Sequence, residues 1–233
     1  VLCDTFVKAN KTNMNKLLFC LSIALFGMSC QENQPKTAVA QAKPSKKYDK
    51  NIIFFGNSLT AGYGLPEVSS GFVSLTQKRI DSLGLPYKCV NAGLSGETTA
   101  GGAARVDWIL QQKVDVFVLE LGGNDALRGL EPKIALQNLQ TILDKVKAKH
   151  PTAQIVLAGM QAPKNMGTTY TDAFQAIYPK LAAQNKISLI PFILDGVGGV
   201  PTLNQGDGIH PNEAGNKIIL ENLWKNLQKI LLP

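Results

Sequence analysis

Two histidines occur in the 233-residue chain, and they stand in different company. His150 closes a helical pattern beside Pro151, where an exposed cation suits the negative end of a helix. His210 sits in Asp207-Gly208-Ile209-His210-Pro211-Asn212. An aspartate three residues earlier on a tight turn can accept the ring Nδ1–H. That bond fixes the tautomer and leaves Nε2 free as a base. Asp207 can equally serve as a capping residue of the loop that enters the last helix.

A base needs a nucleophile and an electrophilic hole. Gly56-Asn57-Ser58-Leu59-Thr60-Ala61-Gly62-Tyr63-Gly64 places Ser58 just past an apolar strand, at a turn into a helix. There its hydroxyl can emerge at a sheet edge and feel the positive end of the helix. A serine at that place is more commonly a helix cap. Asn91-Ala92-Gly93-Leu94-Ser95-Gly96-Glu97-Thr98-Thr99 offers the Gly96 N–H with no side chain in its way. Leu119-Glu120-Leu121-Gly122-Gly123-Asn124-Asp125 places Asn124 after the most apolar strand, where its amide could stabilise an oxyanion or simply close an Asx turn.

These segments need a scaffold that brings them together, and the hydropathy pattern supplies one. Apolar strands are expected at 51–55, 87–91, 114–121, 154–159 and 188–191, with helices over 72–83, 103–110, from Pro132 onward, 170–185 and 213–231. The near-continuous apolar run of 114–121 suits a parallel strand buried on both faces. Strand–helix alternation of this kind predicts one α/β domain over 51–233, a parallel sheet between two helical layers. Sites in such sheets form beyond the carboxyl ends of the strands. The polar, glycine-rich stretches after the first three strands are placed accordingly. Segments 163–170 and 195–205 should border the same edge, the second with Val197 and Val200 as apolar elements.

Residues 1–50 read differently. They hold eight lysines against three acids, a net of +5, while 51–233 carry sixteen basic and fourteen acidic residues, a net of +2. The folded part lacks the basic surplus of a nucleic-acid binder. Met14 and Lys16 precede a twelve-residue apolar run, Leu17–Met28, too short to span a bilayer but suited to a signal peptide, here residues 1–30. Residues 1–13 read as translation from a misplaced start. Ser29-Cys30 is similar to a bacterial lipoprotein cleavage site, with Gly27 and Met28 departing from its usual residues, so Cys30 is expected to carry lipid. A plain secretory signal is the alternative. Residues 31–50, rich in Gln, Lys, Ala and Pro, form a tether. The chain is thus expected in the bacterial cell envelope, bound to the membrane through Cys30 or free in the periplasm. With Cys3 and Cys20 removed on processing, Cys89 remains as a structural thiol in a strand.

No metal-ligand spacing and no Gly-rich nucleotide cradle occurs, so no cofactor is expected. Gly56-Asn57-Ser58 is also not the nucleophile elbow of α/β-hydrolases. The four segments, in this order, resemble the four blocks of the SGNH, or GDSL-type, hydrolases, from Ile52 to the last helix. The likeness is strongest to the bacterial thioesterase I, arylesterase and lysophospholipase group, which shares patterns like Ala176-Ile177-Tyr178-Pro179-Lys180. It implies a five-stranded, flavodoxin-like sheet and a serine esterase acting on small ester or lipid-like substrates. By that resemblance Ser58 is the nucleophile, His210 the base and Asp207 its orienter. The N–H groups of Ser58 and Gly96 and the Asn124 side chain form the oxyanion hole. Such a site could also serve a carbohydrate O-acetyl esterase, or survive in a non-catalytic, envelope-anchored binding module. The family usually has Asp before the serine, and this chain has Asn57. Asn keeps the size and a hydrogen-bonding oxygen, so activity is expected to persist.

Overall fold

The computed structural model describes residues 48–232, so the expected signal peptide, Cys30 and most of the tether lie outside the described residues. Within that span the chain alternates as expected: β1 (Lys50–Gly56), α1 (Ser58–Ala61), α2 (Phe72–Ser82), β2 (Tyr87–Gly93), α3 (Thr99–Ile109), β3 (Val116–Glu120), α4 (Gly123–Leu127), α5 (Pro132–Lys149), β4 (Gln154–Ala158), α6 (Thr168–Gln175), α7 (Ile177–Asn185), β5 (Ser188–Ile190) and α8 (Glu213–Leu231). The five strands pair in parallel in the order β2-β1-β3-β4-β5. The chain steps outward from β1 to β2, then crosses back over β1 to β3 and continues to β4 and β5, so the winding reverses and the switch point lies between β1 and β3, where open α/β sheets bind ligands.

Both faces of the sheet are covered, which explains the continuous apolar strands. Ile52, Ile53, Phe54 and Phe55 are all fully buried, each stabilising the fold by roughly 1.5–3 kcal/mol. Phe54 meets Phe72 of α2 edge to face, while Phe55 lies under Arg105 of α3. α2 and α8 pack together on one side, and α3, α5 and α7 on the other.

Three local departures from the sequence expectation have physical causes. α3 begins at Thr99, not at 103, because the Thr98 side chain caps Gly101 N and carries the helix through two poor helix formers, Gly101 and Gly102. The helix expected over 170–185 is two helices that break at Ala176. Pro179 is the reason: it has no N–H for the Gln175 carbonyl, and its ring crowds that same carbonyl. His150 is a half-buried C-cap whose Nε2 lies 3.0 Å from the Leu110 carbonyl, so it fastens α5 to the end of α3. The folded part also starts slightly early, since Lys50, counted with the tether, already pairs with Tyr87 of β2.

Candidate active site

Ser58 is the first residue of α1, and the cap in front of it is Asn57, whose Oδ1 accepts from Leu59 N at 3.0 Å. The serine side chain is therefore not spent on capping. Its Oγ lies 2.9 Å from His210 Nε2, across 152 residues of sequence. His210 Nδ1 lies 2.6 Å from Asp207 Oδ2. The other oxygen, Asp207 Oδ1, accepts the backbone N–H groups of Ile209 and His210 at 2.9 and 3.0 Å. Those bonds, the His210 ring first, hold the Asp207 carboxyl down at about 2. An ionised Asp207 can only accept, so the ring proton sits on Nδ1 and the lone pair of Nε2 faces the hydroxyl. The Tyr63 ring packs 4.8 Å from the imidazole and limits its swing.

The His210 loop is fastened independently of the serine. Gln205 N donates to the His210 carbonyl at 2.7 Å, and the Gln205 amide reaches Tyr63 O and Pro211 O at 2.8 and 3.1 Å. Asn212 then caps α8 through Ala214 N and Gly215 N.

Three donors remain around the serine. The N–H of Ser58 opens a helix, and the N–H of Gly96 has no intramolecular acceptor among the described residues. Asn124 Nδ2 gives one hydrogen to the Glu97 carbonyl at 2.9 Å and keeps the other. Ser58, Asn124 and His210 line one cavity of about 280 Å³. Gly96 is not in its wall. It stands on the adjoining turn, at φ +80° where a side chain would be strained, with its carbonyl held by Arg128 at 3.0 Å. The Glu97–Asn124 bond joins that turn to the cavity. Gly93, at the end of β2, has to be glycine, because a Cβ there would enter the backbone of Ala61 and displace α1.

Asn57, Gly123 and Gln161 also line the cavity, and the rest of the wall is apolar: Leu59, Leu127, Met160, Pro163, Leu194 and Ile209. Segment 163–170 contributes Pro163, as expected. Segment 195–205 does not contribute. Val197 is fully buried and packs toward Gly215 of α8, and the wall residue is Leu194, just ahead of the segment.

Several supporting residues escaped the sequence reading. Arg105 grips both oxygens of the buried Glu97 at 2.5 and 2.6 Å, and also bonds Ala92 O at 2.8 Å. One side chain thus joins the end of β2 to the Gly96–Glu97 turn. Tyr178 donates to Leu121 O at 2.9 Å and braces the chain before Asn124. Glu120, at the end of β3, lies beneath the serine turn. Its signal was present in the sequence as a lone carboxylate inside an otherwise apolar strand.

Among the described residues, no group of three His, Cys, Asp or Glu is placed to hold a metal, and no helix is long and apolar enough to cross a membrane. Cys89 is a half-buried free thiol of β2, and burial pushes it up to about 12.

The comparisons with known proteins point to one family. A profile described as the GDSL-like lipase/acylhydrolase family matches residues 54–218. The esterase TesA of Pseudomonas aeruginosa is 44% identical over 183 residues, covering 78% of this chain and 90% of that protein. The thioesterase 1/protease 1/lysophospholipase L1 of Escherichia coli is 39% identical over 181 residues, covering 77% and 84%. A crystal structure of TesA superposes with a TM-score of 0.74 at 44% identity, covering 78% of this chain and all of that one. A match of this breadth, on a sheet of five parallel strands as expected, means that the chain belongs to the GDSL-like lipase/acylhydrolase family and is an ester-hydrolysing enzyme.

Proposed function

We propose that this esterase works through Ser58 as nucleophile, His210 as general base and Asp207 as its orienter, on carboxylic esters and thioesters with an apolar acyl group. The observation that supports this reading is the unbroken chain from Ser58 Oγ through His210 to Asp207, set in a cavity with a six-residue apolar wall. The wall suits an acyl chain. An acetylated sugar would leave most of it uncovered.

In the first half-reaction Ser58 Oγ attacks the carbonyl carbon as its proton passes to His210 Nε2. The carbonyl π pair moves onto oxygen, facing the N–H groups of Ser58 and Gly96 and the free hydrogen of Asn124 Nδ2. The tetrahedral species collapses, the bond to the leaving oxygen or sulfur breaks, and His210 returns the proton to it. Water, deprotonated by His210, then cleaves the acyl-enzyme by the same route.

Ser58→Ala should abolish hydrolysis of p-nitrophenyl butyrate with the fold intact, and a fluorophosphonate probe should label Ser58 in the native enzyme. Full activity in the variant overturns the assignment. A folded native protein that resists the probe favours a binding module instead. Faster turnover of acetylated sugars than of butyryl and longer acyl esters would reverse the substrate reading.

The relatives named above include a thioesterase and lysophospholipase, and we carry a lipid-like acyl substrate from there to this chain. An exported enzyme anchored through lipid on Cys30 would meet such substrates at the membrane. Each buried CH₂ of a lipid contributes roughly 0.8 kcal/mol, so several chains on one cysteine hold firmly. Palmitate labelling that disappears in Cys30→Ser supports the anchor, and an unlabelled wild-type protein removes it.

A further inference from the structure

The reaction above makes no use of the carboxylate beneath the serine turn. Glu120 is 1% exposed. Among the described residues no cation lies within ion-pair distance of it. Its oxygens instead accept from the α1 turn. Asn57 Nδ2 donates to Oε1 at 2.9 Å, and Thr60 Oγ1 and Asn57 N donate to Oε2 at 2.8 and 3.4 Å. The other end of the same amide, Asn57 Oδ1, accepts from Leu59 N at 3.0 Å and lies 3.4 Å from Ser58 Oγ.

Donor and acceptor roles fix this amide in one orientation. A carboxylate only accepts, so the amide NH₂ faces Glu120. Leu59 N–H only donates, so the amide oxygen faces α1 and the serine. We infer that Asn57 and Glu120 form a positioning pair for Ser58 that holds the serine turn through an amide–carboxylate contact needing no shared proton. The inference rests on Ser58 being the nucleophile.

The surroundings supply no proton to that contact. Tyr178 of α7 donates its hydroxyl to Leu121 O. Arg105 of α3 touches Gly56 O at 3.4 Å but is committed to Glu97. Asp125 of α4 is held by the N–H and hydroxyl of Thr99 at 2.8 and 2.6 Å. Burial pushes Glu120 up to about 7 against the bonds from Thr60 and Asn57, so above that pH the carboxylate is charged and the pair is fully formed.

The chemistry of the contact sets three variants apart. Asn57→Asp faces one carboxyl with another across a hydrogen-bond distance. Both cannot ionise there, so this pair needs a proton and loses its hold as pH rises. Glu120→Gln leaves a buried donor facing a donor in either amide orientation, at Asn57 Nδ2 or at Asn57 N. The double variant Asn57→Asp with Glu120→Gln exchanges amide and carboxylate and fills every contact again.

The test is the pH profile of kcat/KM for p-nitrophenyl butyrate, read as the ratio of each variant to wild type, with circular dichroism melts alongside. For Asn57→Asp the ratio should fall by about tenfold or more between about pH 7 and 9, as the shared proton is lost. Glu120→Gln should be lower by about tenfold at every pH, and the double variant should return to within about threefold of wild type with a level ratio. A level ratio for Asn57→Asp, or a double variant no better than Glu120→Gln, overturns the inference. If either single variant fails to fold, the double variant decides: folded with a level ratio supports the pair, unfolded refutes it. Full activity in Ser58→Ala would remove the nucleophile assignment itself, a result separate from all of these.

Discussion

Asn124→Ala isolates the one side-chain donor of the proposed oxyanion hole, and its consequences can be worked out bond by bond. The Asn124 amide nitrogen carries two hydrogens. One is committed to the Glu97 carbonyl at 2.9 Å, so one is left for the substrate oxygen. Removing an oxyanion donor of this kind costs roughly 2.7–4 kcal/mol of transition-state stabilisation, or about 10²–10³ in kcat. The bond to Glu97 is a neutral one, and losing it costs on the order of 1 kcal/mol of stability. For a domain of this size that lowers Tm by about 2–4 °C. KM should stay within about twofold, since the ground-state carbonyl carries little charge for the amide to hold. Steady-state kinetics with p-nitrophenyl butyrate and a thermal melt measure all three quantities. A kcat within about threefold of wild type, or a raised KM with kcat unchanged, would refute the placement of Asn124 over the developing charge.

Other perturbations probe the remaining contacts. Asp207→Asn presents an amide to His210 Nδ1 and favours the wrong ring tautomer, so kcat should fall by roughly 10⁴ while the melt barely changes. A loss below about tenfold would show that the ring is oriented by other contacts. Arg105→Ala strands the buried Glu97 carboxylate and should cost about 3–5 kcal/mol of stability in urea unfolding, with kcat falling as the turn that carries the proposed Gly96 donor loosens. Glu120 has a folded pKa of about 7, raised by burial above the ordinary 4.5. The folded state therefore holds the extra proton between these values, and stability should decline by roughly 3 kcal/mol as pH rises through that window. Glu120→Gln should flatten that decline, and an unchanged slope would assign it to other groups. Cys89, held up at about 12, should resist iodoacetamide in the native protein at mildly alkaline pH and react on unfolding, as read by peptide mapping.

The sequence is most legible where one requirement dominates. Ile52–Phe55 and Val116–Leu119 must be apolar on both faces of the sheet, and their continuous runs announce this directly. The Asp207–His210 spacing is legible for the same reason, since a three-residue turn alone brings the carboxylate to the ring. Legibility fails where tertiary contacts override local preference. Gly101 and Gly102 conceal the first turn of α3, although Thr98 and packing against the sheet keep it helical. The Pro179 break is written in the chain, but the apolar stripe across 170–185 outweighs it in a periodicity reading. Val197 looked like a wall residue because it follows β5, yet the loop turns it inward onto α8. Gly96 and Asn124 are joined through the carbonyls of Glu97 and Gly96, which accept from Asn124 and Arg128, and no side-chain pattern can announce a backbone acceptor.

The placement of Glu120 shows why the serine turn is built this way. Ser58, the proposed nucleophile, stands at the start of a four-residue helix and has almost no secondary structure to hold it, since α1 is shorter than a stable isolated helix by a wide margin. Apolar packing cannot do the work alone, because the turn is polar and Asn57 and Thr60 are both buried. Buried polar groups require partners, and one carboxylate with two acceptor oxygens can satisfy both side chains and a backbone N–H together. Burying that charge without a cation costs stability at neutral pH. The return is a turn with three donors converging on one strand end. Asn124 follows four residues further along, in the first turn of α4. The proposed nucleophile and oxyanion donor thus share one support, β3, and a disturbance at Glu120 should reach both.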